Sequence, residues 1–281
     1  MPAAIHTNHR SFGSSSEQAD TLIVELSSNN IGFCEFNSDI NQPEYAVHAS
    51  IDSSAPMPVR DQVISAVRHF RLSQKAYRAV YVNFFTGQFT LCPTPFFDED
   101  HKRQLLEFNT GATGDAMILH DDLSPEIRLV YALDEQLKST IDQLFPSHHI
   151  KHGLTVLSQL MLHSEDLSKT SMLAQLHDTF MALVVKQEGK LLLANQFDVN
   201  ATEDILYYIL FAMEQYQLDP MQTELTITGN SDAESDALLI LKKYIRHVRL
   251  GMGNRAINWQ AFTGMPQHFN YSLINRIFCE S

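Results

Sequence analysis

SMLAQLHDTFMALVVKQEGKLLLANQF, residues 171–197, holds three short apolar runs separated by two turns. Met172 to Leu176 reads as a strand, His177-Asp178 as a turn and Phe180 to Val185 as a second strand. Leu191 to Phe197 makes a third after Glu188-Gly189. A helix follows directly. Asn200 with Glu203 forms an N-cap and N3 pair, and Ile205, Leu206, Tyr208, Ile209, Leu210, Phe211, Ala212 and Met213 leave almost no polar face before Tyr216. A helix so apolar is expected to be covered by other elements. Asp219-Pro220 stops it, and Glu224 to Thr228 supplies a fourth strand.

The same wiring begins 150 residues earlier, at Thr21 rather than Ser171. Leu22, Ile23, Val24 and Leu26 form a strand that turns at Ser27-Ser28-Asn29-Asn30, and Ile31 to Phe36 returns. Tyr45, Val47, Ala49 and Ile51 alternate with polar neighbours, as a half-buried third strand requires. After Pro56 and Pro58 comes a helix from about Val59 to Arg71, with Val63, Ala66, Val67 and Phe70 on one face. Val80 to Phe85 and Gln88 to Cys92 are expected to form a hairpin through Thr86-Gly87, the glycine supplying a positive φ. The order β-β-β-α-β thus occurs twice, which predicts a duplicated α/β architecture. The expected domains are a disordered tail over 1–19, a first lobe over 20–168 and a second over 169–281.

Between the copies, Ala116 to His120, Ile127 to Ala132 and His149 to His152 read as strands, with helices over Asp134 to Leu144 and Leu154 to Leu162. Beyond the second copy, Ser231 and Glu234 form a capping box opening a helix to about His247. Leu238, Leu241 and Ile245 face inward along it. Lys242, Lys243, Arg246 and His247 crowd the end where the macrodipole favours cations.

With 281 residues, 44% of them hydrophobic, the chain is long enough for two cores. Twenty basic against 33 acidic side chains leave a net charge of −13, which repels phosphate backbones and makes nucleic acid a poor partner. Cys34, Cys92 and Cys279 are widely spaced and form no CxxC pair, as expected of reduced thiols in a cytoplasmic protein. The longest dense apolar stretch, Ile205 to Met213, falls well short of the about 18 residues of a membrane span. Met1 to Ala19 lacks the apolar segment of a secretory signal.

Several blocks carry a family resemblance. These are Glu188 to Phe197, Glu203 to Tyr216, Leu218-Asp-Pro220, Lys243 to Leu250 and, upstream, Phe89-Thr-Leu-Cys-Pro93 before Phe96-Phe97-Asp98-Glu99. Over roughly Thr21 to Leu250 the chain resembles a bacterial domain-of-unknown-function family with an actin-like ATPase fold. The resemblance implies two RNase H-like lobes of β-β-β-α-β-α pattern. Sugar kinases, Hsp70, actin and the actin-like assembly proteins of type IV pili and type II secretion share that architecture.

Such an ATPase cradles phosphates on backbone N–H groups in the turn after the first strand of each half, where an Asp-x-Gly pattern is usual. Here the first half reads Glu25-Leu26-Ser27, and the second turn is His177-Asp178-Thr179. Neither has the glycine that close backbone approach demands. The adenosine-side element is half met by Ile227-Thr228-Gly229-Asn230-Ser231, which a plain turn before a capped helix also explains. Candidate nucleotide-binding residues are therefore Ser27, Ser28, Asn29, Asn30, His177, Asp178, Thr179, Gly229, Asn230 and Ser231.

Gly251-Met-Gly253-Asn-Arg-Ala256 fits a dinucleotide pattern on paper, without a firm preceding strand or a following helix. His148, His149 and His152, with His120, Asp121 and Asp122, are candidate metal donors, for which surface histidines are the simpler account. No Gly-x-Ser-x-Gly elbow is present. The expectation is a noncatalytic interaction or scaffold protein with a degenerate nucleotide site, a protein partner, and no cofactor, metal or membrane insertion. The alternative is a divergent ATP-binding protein or ATPase using Mg²⁺.

Overall fold

The computed structural model describes residues 10–52, 54–163, 169–229, 235–259, 262 and 265–279. The chain forms two compact units: Met1–Thr155 with Ala256–Gly264, and Val156–Arg255 with Met265–Ser281.

In the first unit Arg10–Gly13 (β1), Thr21–Leu26 (β2), Asn30–Asn37 (β3), Gln42–Ser50 (β4), Ala79–Phe84 (β5) and His149–His152 (β9) form one sheet, in the order β1-β4-β3-β2-β5-β9. The first long strands are an antiparallel meander, with Val24 opposite Phe33 and Phe33 opposite Val47. β5 and then β9 join parallel to β2, which puts β2 at the heart of the sheet and buries it throughout. Parallel neighbours need a crossover, and Val59–His69 (α1) supplies it between β4 and β5. Its Val63, Ala66 and Val67 pack on Leu22, Val24, Phe33, Val47 and Val82, together with Leu137 and Ile141 of Glu135–Leu144 (α3). Each such Val, Leu, Ile or Phe side chain, once buried, contributes about 1.5–3 kcal/mol. The Asp134 carboxylate caps α3 by accepting from the Leu137 N–H at 2.8 Å.

Two expectations fail in this unit. Arg10–Gly13, assigned to an unstructured tail, pairs antiparallel with β4, from Arg10 opposite His48 to Gly13 opposite Tyr45; residues 1–9 lie outside the described residues. The Val80–Cys92 hairpin does not form either. β5 already has β2 on one side and β9 on the other, so Phe89–Pro93 (β6) leaves for a separate sheet with Met117–Ser124 (β7) and Ile127–Leu133 (β8), in the order β6-β8-β7. Gly87 accordingly has no positive φ. Lys102–Thr110 (α2), unforeseen from the sequence, packs Leu106 on this small sheet beside Ile118, Val130 and Ala132.

The second unit repeats the plan without insertion. Ser171–Leu176 (β10), Phe180–Gln187 (β11), Lys190–Asp198 (β12), Glu224–Gly229 (β13) and His247–Leu250 (β14) take the order β12-β11-β10-β13-β14. β10, β13 and β14 run parallel and β11 and β12 antiparallel, as in the first meander. Thr202–Gln215 (α5) crosses from β12 to β13, and Asp236–Tyr244 (α6) from β13 to β14. Glu188 and Gly189 turn the β11–β12 hairpin with φ of 51° and 74°, the left-handed pair such a tight turn favours. Gly153–Leu162 (α4) follows β9, and Tyr271–Asn275 (α7) lies near the end of the described chain.

Three local expectations are corrected here. The N-cap of α5 is Ala201 and its N3 residue Asp204, in place of the Asn200–Glu203 pair: the Asp204 Oδ2 accepts from the N–H groups of Asn200 (2.8 Å) and Ala201 (3.0 Å). α5 is also not covered all round. Ile205, Ile209, Ala212 and Met213 face the core, while Tyr207 is 61% and Phe211 43% exposed. The helix expected to run to His247 ends at Tyr244, and His247 opens β14. Leu238, Leu241 and Ile245 are buried as expected. The Ser231–Glu234 capping box lies outside the described residues, and Ser235 Oγ accepts from the Leu238 N–H at 3.4 Å.

Candidate functional site

The ends of β2 and β10 are where an actin-like unit would meet phosphate. In the first unit the Ser27 N–H donates to the Asn30 carbonyl at 2.9 Å, closing the turn, and the Ile51 N–H donates to the Asn29 carbonyl at 2.8 Å. Ser27 is buried, Ser28 exposed, and Asn29 and Asn30 half-buried. The second unit repeats these bonds in the same places: His177 N–H to Phe180 O at 2.9 Å, and Val199 N–H to Thr179 O at 2.9 Å. His177 stacks on Phe180 with ring centres 4.1 Å apart, and Asp178 and Thr179 are exposed.

The residue two places before each turn points into the protein. Glu25 is buried, with Asn83 of β5 at 3.4 Å from its Oε2. Its counterpart Gln175 carries no charge and is locked. Gln175 Nε2 donates to Ser272 Oγ (2.6 Å) and lies 3.0 Å from His177 Nε2, while Gln175 Oε1 accepts from the Ser272 N–H at 3.1 Å. Gly229 closes the same corner. Its φ is +83°, a Cβ there would lie 2.1 Å from the Leu176 carbonyl oxygen, and its N–H donates to the His268 carbonyl at 2.9 Å. Chain geometry alone therefore requires this glycine. Asn230 and Ser231 lie outside the described residues. Sequence reasoning missed the segment around His268 and Ser272, because nothing local to it signals the strands it abuts.

In each unit, taken singly, the N–H that opens the turn donates to a carbonyl of the chain, and neither turn, Ser27 to Asn30 nor His177 to Phe180, contains a glycine.

The histidines do not assemble. His152 is fully buried; its Nδ1 accepts from the Leu154 N–H (3.1 Å), its Nε2 lies 3.1 Å from the Thr86 carbonyl, and Phe85, Phe89 and Tyr131 surround it. Burial drives its pKa down from 6.5 to about 4, so the imidazole is neutral. Asp121 accepts from the His152 N–H at 2.6 Å, and Asp122 pairs with Arg128 at 2.9 Å. His120 faces Glu99 at 3.2 Å, His148 faces Asp142 at 3.5 Å, and His149 lies against Tyr81. Among the described residues no three such donors converge on one point. Gly251 does follow a strand, β14, against expectation, yet residues 252–259, which come next, form no helix. Its N–H donates to the Ile227 carbonyl at 2.7 Å, and a Cβ would meet Thr228 Cγ2 at 2.4 Å. The glycine serves packing.

Residues 9–248 match the family model described as "Protein of unknown function (DUF3822)". The chain belongs to this family. No curated protein matches it by sequence. Among solved structures it is similar to a Bacteroides thetaiotaomicron VPI-5482 protein "with actin-like ATPase fold and unknown function", at TM-score 0.74 and 21% identity over 87% of this chain and 95% of that one. It is also similar to a chain of the PilM–PilN type IV pilus biogenesis complex, at TM-score 0.64 and 12% identity over 93% and 99%. The ethanolamine utilization protein EutJ from Carboxydothermus hydrogenoformans follows at 0.54 and 8% over 92% and 89%. Identities this low carry fold and no more. This DUF3822 member is an α/β protein of two RNase H-like lobes with the actin-like ATPase architecture.

Proposed function

We propose that this DUF3822 protein is a noncatalytic interaction protein, a scaffold that keeps the actin-like fold with a degenerate nucleotide site. The supporting observation is the pair of turns after β2 and β10, each glycine-free and closed by a hydrogen bond from its own first N–H. The neutral, doubly anchored Gln175, where an ATPase half usually carries a carboxylate, adds to it. A similar fold in a chain of the PilM–PilN complex favours a protein partner. Three buried free cysteines, and no helix among the described residues long and apolar enough to cross a membrane, accord with work in the cytoplasm. Isothermal titration of the purified chain with Mg-ATP is expected to give no heat of binding. Micromolar affinity would reverse the proposal in favour of a divergent ATP-binding protein.

A further inference from the structure

The two sheets differ at one edge. In the first unit the outer side of the meander is covered by β1 on β4, whereas in the second no described strand pairs the outer side of β12, the counterpart of β4. Exposed strand edges are normally blunted by shortness, proline, bulges or inward charge, because their free N–H and C=O groups template pairing with another chain. β12 is nine residues long with no proline, and its charges are confined to Lys190 and Asp198 at the two ends. Its one blunting device is a bulge at Leu192, opposite Val185–Lys186, and from Leu193 to Asp198 the ladder with β11 is regular.

The charge pattern is self-complementary. An antiparallel copy centred on Ala194 sets Lys190 opposite Asp198 twice, and Leu191 opposite Phe197. Both charged residues are exposed and form no ion pair among the described residues. A second unpartnered feature adjoins the same strand. Phe197 stacks on Tyr208 (4.5 Å), Tyr208 meets Tyr207 edge-on (5.2 Å), and Tyr207 stacks with the exposed Phe211 (5.9 Å). This ladder of rings leads from β12 onto the exposed face of α5. A two-fold axis perpendicular to paired edge strands brings the same sheet face of both copies side by side, so one contact would cover strand and rings together.

We propose that the outer edge of β12 and the exposed aromatic face of α5 form a self-association surface, on which a second copy of this chain pairs antiparallel to extend the sheet from five strands to ten. This stands apart from the nucleotide question. Sedimentation velocity on the full chain should give the mass of two chains at micromolar concentration. Lys190→Asp alone, or Asp198→Lys alone, sets like charges opposite each other and should raise the dimer Kd roughly tenfold. An equimolar mixture of the two variants should recover the dimer, since their charges complement. Tyr207→Lys with Phe211→Lys alters only exposed positions and should weaken the dimer with an unchanged circular dichroism spectrum. A monomeric wild type, or a dimer indifferent to both pairs of substitutions, overturns the proposal.

Discussion

Three contacts hold the His152 ring: Nδ1 accepts from the Leu154 N–H at 3.1 Å, and Nε2 lies 3.1 Å from the Thr86 carbonyl and 3.3 Å from the Thr86 nitrogen. Protonation would add a charge inside a cage of Phe85, Phe89 and Tyr131, and burial holds the folded pKa at about 4 against 6.5 unfolded. Between those values the unfolded chain binds the extra proton, so stability rises with pH there. The contribution is complete above pH 6.5 and is lost as pH falls toward 4, at about 3 kcal/mol in all. Urea unfolding of the wild type and of His152→Gln from pH 7 to pH 4 should show the wild type losing that much more than the variant. Parallel profiles would contradict the assignment. From sequence, His152 was one imidazole among several metal candidates. Its burial depends on Phe85, Phe89 and Tyr131 converging from three strands or strand ends, and residue order does not reveal that.

At the level of elements, the stretch after β1 is held by a charged clasp. Glu35 of β3, wholly buried, receives Lys75 Nζ at 2.7 Å, Tyr77 OH at 2.6 Å and Ser15 Oγ at 2.5 Å; Lys75 also donates to the Ser16 carbonyl at 2.9 Å. Burial, and then the Glu35 carboxylate, push the Tyr77 hydroxyl far above its ordinary range, which keeps it protonated as a donor. Removing Lys75 leaves a buried carboxylate without its cation, so Lys75→Met should cost about 3 kcal/mol in urea unfolding. Adding Glu35→Gln should return part of that loss, and additive effects would show that the pair is not coupled. The sequence hides such a clasp because Glu35 lies 20 residues from Ser15 and 40 from Lys75. The β5–β6 misreading has the same origin. Thr86-Gly87 looks like a hairpin turn locally, but β2 and β9, both distant in sequence, occupy the two sides of β5. α5 shows the opposite case, where periodicity found the helix and its core face but gave no sign of which rings would remain on water.

For the whole molecule, the duplicated wiring was legible because a meander needs only apolar alternation and turns, which many residues supply. The turn bonds show the repeat where side-chain identity does not. Ser27 to Asn30 recurs as His177 to Phe180, and Asn29 to Ile51 as Thr179 to Val199, with backbone atoms throughout. Candidate chemistry was less legible, since whether a turn's N–H groups are committed depends on partners such as His268, far along the chain from Gly229. Two separate cores, one centred on β2 and one on β10, imply two separate sets of protected amides. Both strands are paired on each side and almost wholly buried, so their amides should exchange only through opening of their own core. Hydrogen exchange read by mass spectrometry should find the slowest peptides around Leu22–Leu26 with Val80–Phe84, and around Met172–Leu176 with Leu225–Gly229. Arg10–Gly13 and His247–Leu250, at sheet edges, should exchange early. If β10 and β13 lost protection as fast as β14, the second unit would lack an independent core, and the repeat would be one of wiring without matched stability.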